Sequence, residues 1–308
     1  MSYPAIASGW AIVILAVMVA GPVQAAVSDG TQLELLRLTA PAASLAAAET
    51  DGARTGNVAA GFHNPATGSR FRGTVVHSLH TQQSSDRDLF SLGVVQSLGG
   101  QMAWGVSWLQ SQEVIGKLTS VNVATPTTDI DTISGVYSMN GLNGFLAWSI
   151  GESWDVGIAG TVFVNHLSTE LGASGVGATF TPGIRTQMTP DWALGAYLDN
   201  ALSTVSWDTG TTETLGRTLH LSSDYQWAGL GVGVEYLASL SRLGQGNVRW
   251  GCRGALFPAL TLSLGVYPSH IACGFSVALG PVQLDYAYAG GSQDVLESGS
   301  RVTLGFRL

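Results

Sequence analysis

The sequence predicts an all-β protein: a transmembrane antiparallel β-barrel of about fourteen strands with an N-terminal plug in its lumen. Three observations predict it. The chain opens on an export signal and has no later helix-length apolar run. From Phe71 to its last residue, apolar side chains fall at every second position. The joins between these segments alternate between tight turns and longer polar loops. The composition agrees. Only 11% of the 308 residues are charged, against roughly 25% in a soluble domain, while 45% are hydrophobic and 40 are glycine. So apolar a chain is not disordered. A net charge of −8 leaves nothing to neutralise a run of phosphates, which excludes nucleic acid as a partner. Two cysteines cannot build a disulfide scaffold or a four-thiolate metal site.

Trp10–Ala20 is an uninterrupted apolar run, short of the roughly 20 residues a membrane helix needs. Gly21 and Pro22 break it, and Val23-Gln24-Ala25 offers the small residues a signal peptidase reads. Residues 1–25 are therefore expected to be a secretory signal peptide. The segment before the run carries no Lys or Arg, which leaves an uncleaved anchor as the alternative.

Residues 26–69 lack period-two alternation. Gln32–Leu38 and Ala42–Ala48 suggest short helices parted by Pro41, followed by a glycine-rich stretch and Asn64-Pro65-Ala66. Leu33, Leu35, Leu36, Leu38 and Leu45 need burial, which favours a segment folded into the lumen over a disordered tail.

Residues 70–308 are expected to form the barrel. Val282, Leu284, Tyr286 and Tyr288 alternate with Gln283, Asp285, Ala287 and Ala289; Ile271, Cys273, Phe275 and Val277 alternate with Ala272, Gly274, Ser276 and Ala278. The second face is mostly Gly, Ala, Ser and Thr with isolated charges, which fits a confined lumen better than a free surface. Expected strands cover 70–81, 88–98, 101–111, 133–150 (bent or interrupted near Asn140-Gly141), 153–167, 174–187, 191–203, 214–227, 229–240, 247–257, 260–267, 270–279, 281–290 and 299–308. Gly99-Gly100, Gly151-Glu152, Met188–Pro190, Ala228, Pro258-Ala259 and Gly280 are short turns. Gln112–Thr132 is the longest join, hence the expected outermost loop. Trp148, Trp154, Trp192 and Trp227 each fall beside a short turn in the outward register, as an aromatic girdle at the membrane interface would.

Chemistry is sparse. The six histidines show no metal-ligand spacing, and His77 and His80 point to opposite faces of one strand. No nucleophile elbow or phosphate loop occurs, and His220 and Asp224 lie about 13 Å apart along their strand. No enzyme activity, metal or cofactor is expected. By register, Arg72, Asp155, Arg185, Asp199, His220, Asp224, Glu235, Arg249, Arg253, Asp285 and Arg307 point inward. They serve either as ion pairs tying wall to plug or as a polar conduction path. Asp285 and Arg307 are expected to pair near the rim. No disulfide is expected between Cys252 and Cys273, because the strand 260–267 lies between theirs.

Gly61-Phe62-His63-Asn64-Pro65-Ala66 before the first strand resembles a phrase of the FadL-like superfamily of outer-membrane proteins, and more closely of its short PorV/PorQ-type members. So do Gly280-Pro281-Val282-Gln283-Leu284-Asp285-Tyr286-Ala287-Tyr288 and the last strand, Arg301-Val302-Thr303-Leu304-Gly305-Phe306-Arg307-Leu308. The chain lacks the family's Gly-rich phrase ahead of Asn-Pro-Ala and ends on Leu308 instead of an aromatic residue. The resemblance implies an outer-membrane location in a Gram-negative-type bacterium, lipid and the barrel-insertion machinery as partners, and an accessory role in protein export or surface attachment with secretion-system proteins, as in type IX secretion. The alternative is a FadL-like transporter of a hydrophobic ligand.

Overall fold

A computed structural model describes residues 41–55, 60–83, 87–121, 130–168, 172–240, 246–290 and 299–308. The expected signal peptide and the expected helix at Gln32–Leu38 lie outside them.

Sixteen strand segments follow a short helix α1 (Ala42–Ala46) and two 3-10 turns, Ala60–Phe62 and Pro65–Arg70. They are β1 (Thr74–Gln83), β2 (Arg87–Leu98), β3 (Met102–Val121), β4 (Ile130–Ile150), β5 (Trp154–Ser168), β6 (Ala173–Thr189), β7 (Trp192–Asp199) and β8 (Leu202–Trp207). Then come β9 (Thr212–Glu213), β10 (Thr218–Trp227), β11 (Leu230–Ser239), β12 (Gly246–Phe257), β13 (Leu260–Val266), β14 (Ile271–Leu279), β15 (Val282–Gly290) and β16 (Gly299–Arg307). Neighbours in sequence pair antiparallel, and β1 pairs with β16 from Val75–Arg307 to Gln83–Gly299, which closes the sheet. β6 pairs with β7 over its later half and with β8 over its earlier half, so β7 and β8 are one stave interrupted at Asn200-Ala201. Counting them as one and setting β9 aside gives a closed barrel of fourteen staves.

Closure pairs the sheet edges around the barrel except beside β8, and paired edges are what allow a sheet to sit in hydrocarbon. The alternation predicts the faces correctly. Leu142, Val162 and Val176 stand more than half exposed on the outside, and their neighbours in sequence turn inward. The short turns gather at one rim, where Gly99, Gly100, Gly151, Gly229 and Gly280 take positive φ.

Four expectations need correction. The barrel begins at Thr74, because 65–70 is a 3-10 turn capped by Asn64, whose side chain accepts the Ala66 amide. β4 is not interrupted at Asn140-Gly141, where it pairs on both sides without a break. Most of the join Gln112–Thr132 is strand: past Glu113, β3 has no β2 partner and runs on with β4 as a two-stranded ribbon to Val121–Ile130. The ribbon's sequence leaves no period-two signal, with Val114, Ile115, Leu118 and Val121 at no fixed spacing. The expected strand 191–203 is broken instead, with Asn200 in the left-handed region at φ 52°.

Candidate functional site

The lumen is occupied by residues of the N-terminal segment. Its docking surface starts with a belt of small residues. Gly233 of β11 faces Gly251 of β12, which faces Gly265 of β13, then Ala272 of β14 and Ala289 of β15. A Cβ at Gly251 would overlap the Ala47 carbonyl oxygen, and one at Gly265 the Ala48 amide. The missing side chains let backbone lie on backbone. Ala42 and Ala46–Ala48 in turn have side chains small enough for the contact, and all are buried. The Ala42 amide donates to Thr303 Oγ1 at 2.9 Å, and the Tyr267 hydroxyl to the Leu45 carbonyl at 3.3 Å.

Charge fixes the segment in place. Glu49 accepts from Arg249 at 2.6 Å and from Arg301 at 3.3 Å. Asp51 accepts from Arg253 at 2.6 Å, and Arg253 also faces Asp224 at 3.6 Å. Burial pushes the Asp51 carboxyl up, but the Arg253 and Arg54 guanidiniums outweigh it and hold the group below the usual carboxylate range. Arg54 is itself lowered, first by burial and then by Arg253. Near the turn-bearing rim the polarity reverses. There Arg70 of the segment meets the fully buried Asp155 of β5 at 3.0 Å, and Arg185 of β6 meets it at 2.8 Å. Arg185 also donates to the Ala53 carbonyl at 2.6 Å.

Asn64 is the knot between these parts. It is wholly buried, donates to the Gly52 carbonyl at 2.5 Å and caps the turn that contains Pro65 and Ala66. Pro65 and Ala66 lie against Gly157 and Asn64 against Gly183, both wall positions without a side chain. Phe62 packs edge-on to Phe145 of β4, centroids 5.0 Å apart.

Of the predicted luminal charges, Asp199, Asp224, Glu235, Arg249, Arg253 and Asp285 all fall on the inner face. Glu235 accepts from the Tyr197 hydroxyl at 3.0 Å and contacts His220 Nδ1 at 2.6 Å, with the Tyr197 and His220 rings stacked. Asp199 accepts from Thr181, and Asp285 from Gln283. Arg307 does not pair with Asp285. The register sets Asp285 opposite Thr303, four residues earlier, and Arg307 is exposed on the last rung, past the end of the lumen. Arg72 is exposed as well. Trp154 and Trp227 are at least half exposed, Trp148 and Trp192 partly so, all four beside short turns of one rim. Sequence reasoning passed over Glu49, Asp51 and Arg301. Arg301 shares its face with Thr303 and was within reach of the alternation, whereas the two acidic residues lie where no periodicity assigns a face.

Above the segment lies a polar cavity of about 50 Å³, bordered by His63, Thr161, Tyr197, Asn200, His220 and Arg249. It has room for a few waters, well short of the ~150 Å³ that holds one benzene. Toward the ribbon end, an apolar cluster faces inward beside a buried ion pair between Arg87 and Glu113. Leu79, Leu89, Met139, Phe163 and Val205 cluster there with Leu215, which the 214–217 segment inserts. That segment stands where β10 would continue beside β8. β10 pairs with β7 only up to Thr218–Asp199, and β8 has only β6 and β9. Two hydrogen bonds between Ser203 Oγ and the Leu215 backbone bridge the interval.

Among the described residues, no group of three or more His, Cys, Asp or Glu side chains could hold a metal ion, and no helix is long and apolar enough to cross a membrane. A scan against protein-family models gives no match, and a search of curated proteins gives none. Solved structures do match. The Pseudomonas putida toluene transporter TodX superposes with TM-score 0.65 at 14% identity, covering 87% of this chain and 98% of TodX. The Ralstonia pickettii toluene transporter TbuX gives 0.60 at 14%, covering 87% and 98%. A Pseudomonas aeruginosa FadL homologue gives 0.58 at 10%, covering 87% and 96%. At these identities the likeness is one of fold: a closed antiparallel barrel shared with these outer-membrane proteins.

Proposed function

We propose that the chain is an outer-membrane channel for small hydrophobic molecules, with residues 26–69 as its plug and residues 1–25 removed on export. The observation that carries this reading is the inward-facing apolar cluster under the ribbon end of the barrel. A general porin keeps a polar, water-filled interior, and an apolar cluster there obstructs ions and sugars. The similarity in fold to two toluene transporters supports the same reading. The interval between β8 and β10, covered by the two-residue β9 and the 214–217 segment instead of a full strand, gives such a molecule a short path between the lumen and the lipid around the barrel. The polar cavity beneath, too small for an aromatic ring, and the ion-paired plug make the axial route the harder one.

The test is uptake of labelled toluene by cells with and without the protein. A severalfold faster uptake is expected, with no gain in permeability to a small sugar. Equal toluene uptake, or a gain for the sugar alone, overturns the proposal. A second reading, an accessory role in export or surface attachment, rests on the PorV/PorQ-type phrasing of Gly280–Tyr288 and Arg301–Leu308. Under it, deletion of the gene impairs surface display of exported proteins and leaves toluene uptake unchanged.

A further inference from the structure

Asn165 of β5 is a polar residue in an apolar place. Its side chain is wholly buried, and neither amide atom has a hydrogen-bond partner. It lies on the rung Leu89–Ser111–Met139–Asn165–Gly175–Trp207, which crosses six staves at one level. Phe163 and Leu167 flank it along the strand. Gly175 opposite it has no side chain, and the Trp207 ring lies across that position, 2.9 Å from where a Cβ would stand. The amide is thus walled by Phe163, Met139, Leu167 and the Trp207 indole.

Four further polar atoms of this outer level are buried without partners: the Tyr137 hydroxyl, the Ser111 hydroxyl, the Trp207 indole N–H and Oε2 of Glu113, whose other carboxylate oxygen accepts from Arg87. Tyr137 stands diagonal to Asn165 across the β4–β5 pair, within reach of a small molecule bound between them. A buried amide has two donors and an acceptor to satisfy, and leaving them unmatched is costly. An apolar pocket with a few convergent polar groups is the usual form of a small-molecule site.

We propose that this outer luminal level binds an apolar small molecule bearing a single hydrogen-bonding group, such as a phenol or an alcohol, with Asn165 recognising that group. The inference rests on the channel reading above and narrows it from hydrocarbons in general to hydroxylated ones. The hydroxyl donates to Asn165 Oδ1 or accepts from Nδ2, with Tyr137 and Trp207 as neighbouring partners, while the rest of the molecule lies against Leu79, Leu89, Met139 and Phe163. Leu215 fills that space in the described state, so binding displaces it and the 214–217 segment together. A site that hydrogen-bonds a hydroxyl discriminates against the isostere lacking it, because the buried polar groups are then left unmatched.

The experiment is equilibrium binding of labelled phenol and labelled toluene to the full-length protein in lipid nanodiscs, with empty nanodiscs as the blank. The two probes differ by a hydroxyl in place of a methyl. In Asn165→Leu the ratio of phenol to toluene affinity is expected to fall about tenfold, with toluene retained or improved. Tyr137→Phe, which removes one oxygen, carries the same comparison should the first variant fail to insert; there the expected fall is severalfold. An unchanged ratio in the inserted variant, with both probes bound, sinks the hydroxyl assignment and leaves the channel reading standing. Binding of neither probe by the wild type overturns both.

Discussion

Arg253 stands between Asp51 of the plug and Asp224 of the wall, all three side chains buried. Arg253→Met leaves two carboxylates in the lumen without their cation, which costs roughly 3–5 kcal/mol for a broken buried pair. The expected result is a lower heat-modification temperature and faster proteolysis near residue 51. Adding Asp51→Asn recovers part of the loss, as a double-mutant cycle shows. Because the pairing lowers the Asp51 pKa, its contribution is fully present above the ordinary value of 3.8 and is lost as pH falls through the lowered one. Plug protection against protease therefore holds at pH 5 and weakens only below about 3.8. The cysteines are governed by register. Cys252 faces Leu264 and Leu264 faces Cys273, so two strand spacings of about 9–10 Å separate thiols that a disulfide needs within ~7 Å. Mass spectrometry of the unreduced protein is expected to find two free thiols; a bridge would contradict the pairing of β12 to β14. At this scale the sequence exposes which wall residues face inward, since alternation assigns Glu235 and Arg253 unaided. It does not expose their partners, because Glu49 and Asp51 lie in a segment with no period. Nor does it single out Asn165, whose meaning depends on what surrounds it across two other strands.

Among the elements, the belt Gly233–Gly251–Gly265–Ala272 shows why the inner face is so poor in side chains. The lack of side chains there accommodates another stretch of backbone rather than a wide pore. Gly251→Val places methyl groups on the Ala47 carbonyl and is expected to expel the first half of the plug, opening residues 41–54 to protease. Gly254→Ala, three residues on and in ordinary contact with Leu230 only, is expected to leave protection unchanged. The strands themselves were legible wherever one face meets lipid. The ribbon past Glu113 was not, since Val114-Ile115-Gly116-Lys117-Leu118 does not alternate. The break at Asn200 was hidden for another reason: Trp192 to Leu198 alternate cleanly, and a single left-handed residue leaves no trace in a hydropathy pattern.

For the molecule as a whole, the fourteen staves, the rim of short turns and the projecting β3–β4 ribbon define a direction across the membrane. In the proposed orientation the ribbon faces outward, and Ser120→Cys is expected to react with an impermeant maleimide on intact cells. Labelling only after the outer membrane is permeabilised would invert the barrel. The plug's contacts carry a consequence for how the barrel comes to exist. Ala42 and Glu49 bind β16, Asp51 binds β12, and Asn64 and Arg70 bind the wall at β5 and β6. One stretch of about 30 residues is thus fastened to both the early and the late staves, across sequence separations of up to 261 residues. Contacts so distant are the slow ones to form, because the intervening chain must first be gathered in. Once the seam between β1 and β16 has joined, a segment whose backbone lies against the glycine belt has no wide mouth through which to arrive. The ends of the chain are therefore expected to meet around it, with the plug as the mandrel on which the last staves are wound, and a barrel refolded without residues 41–70 is expected to close more slowly than the full chain.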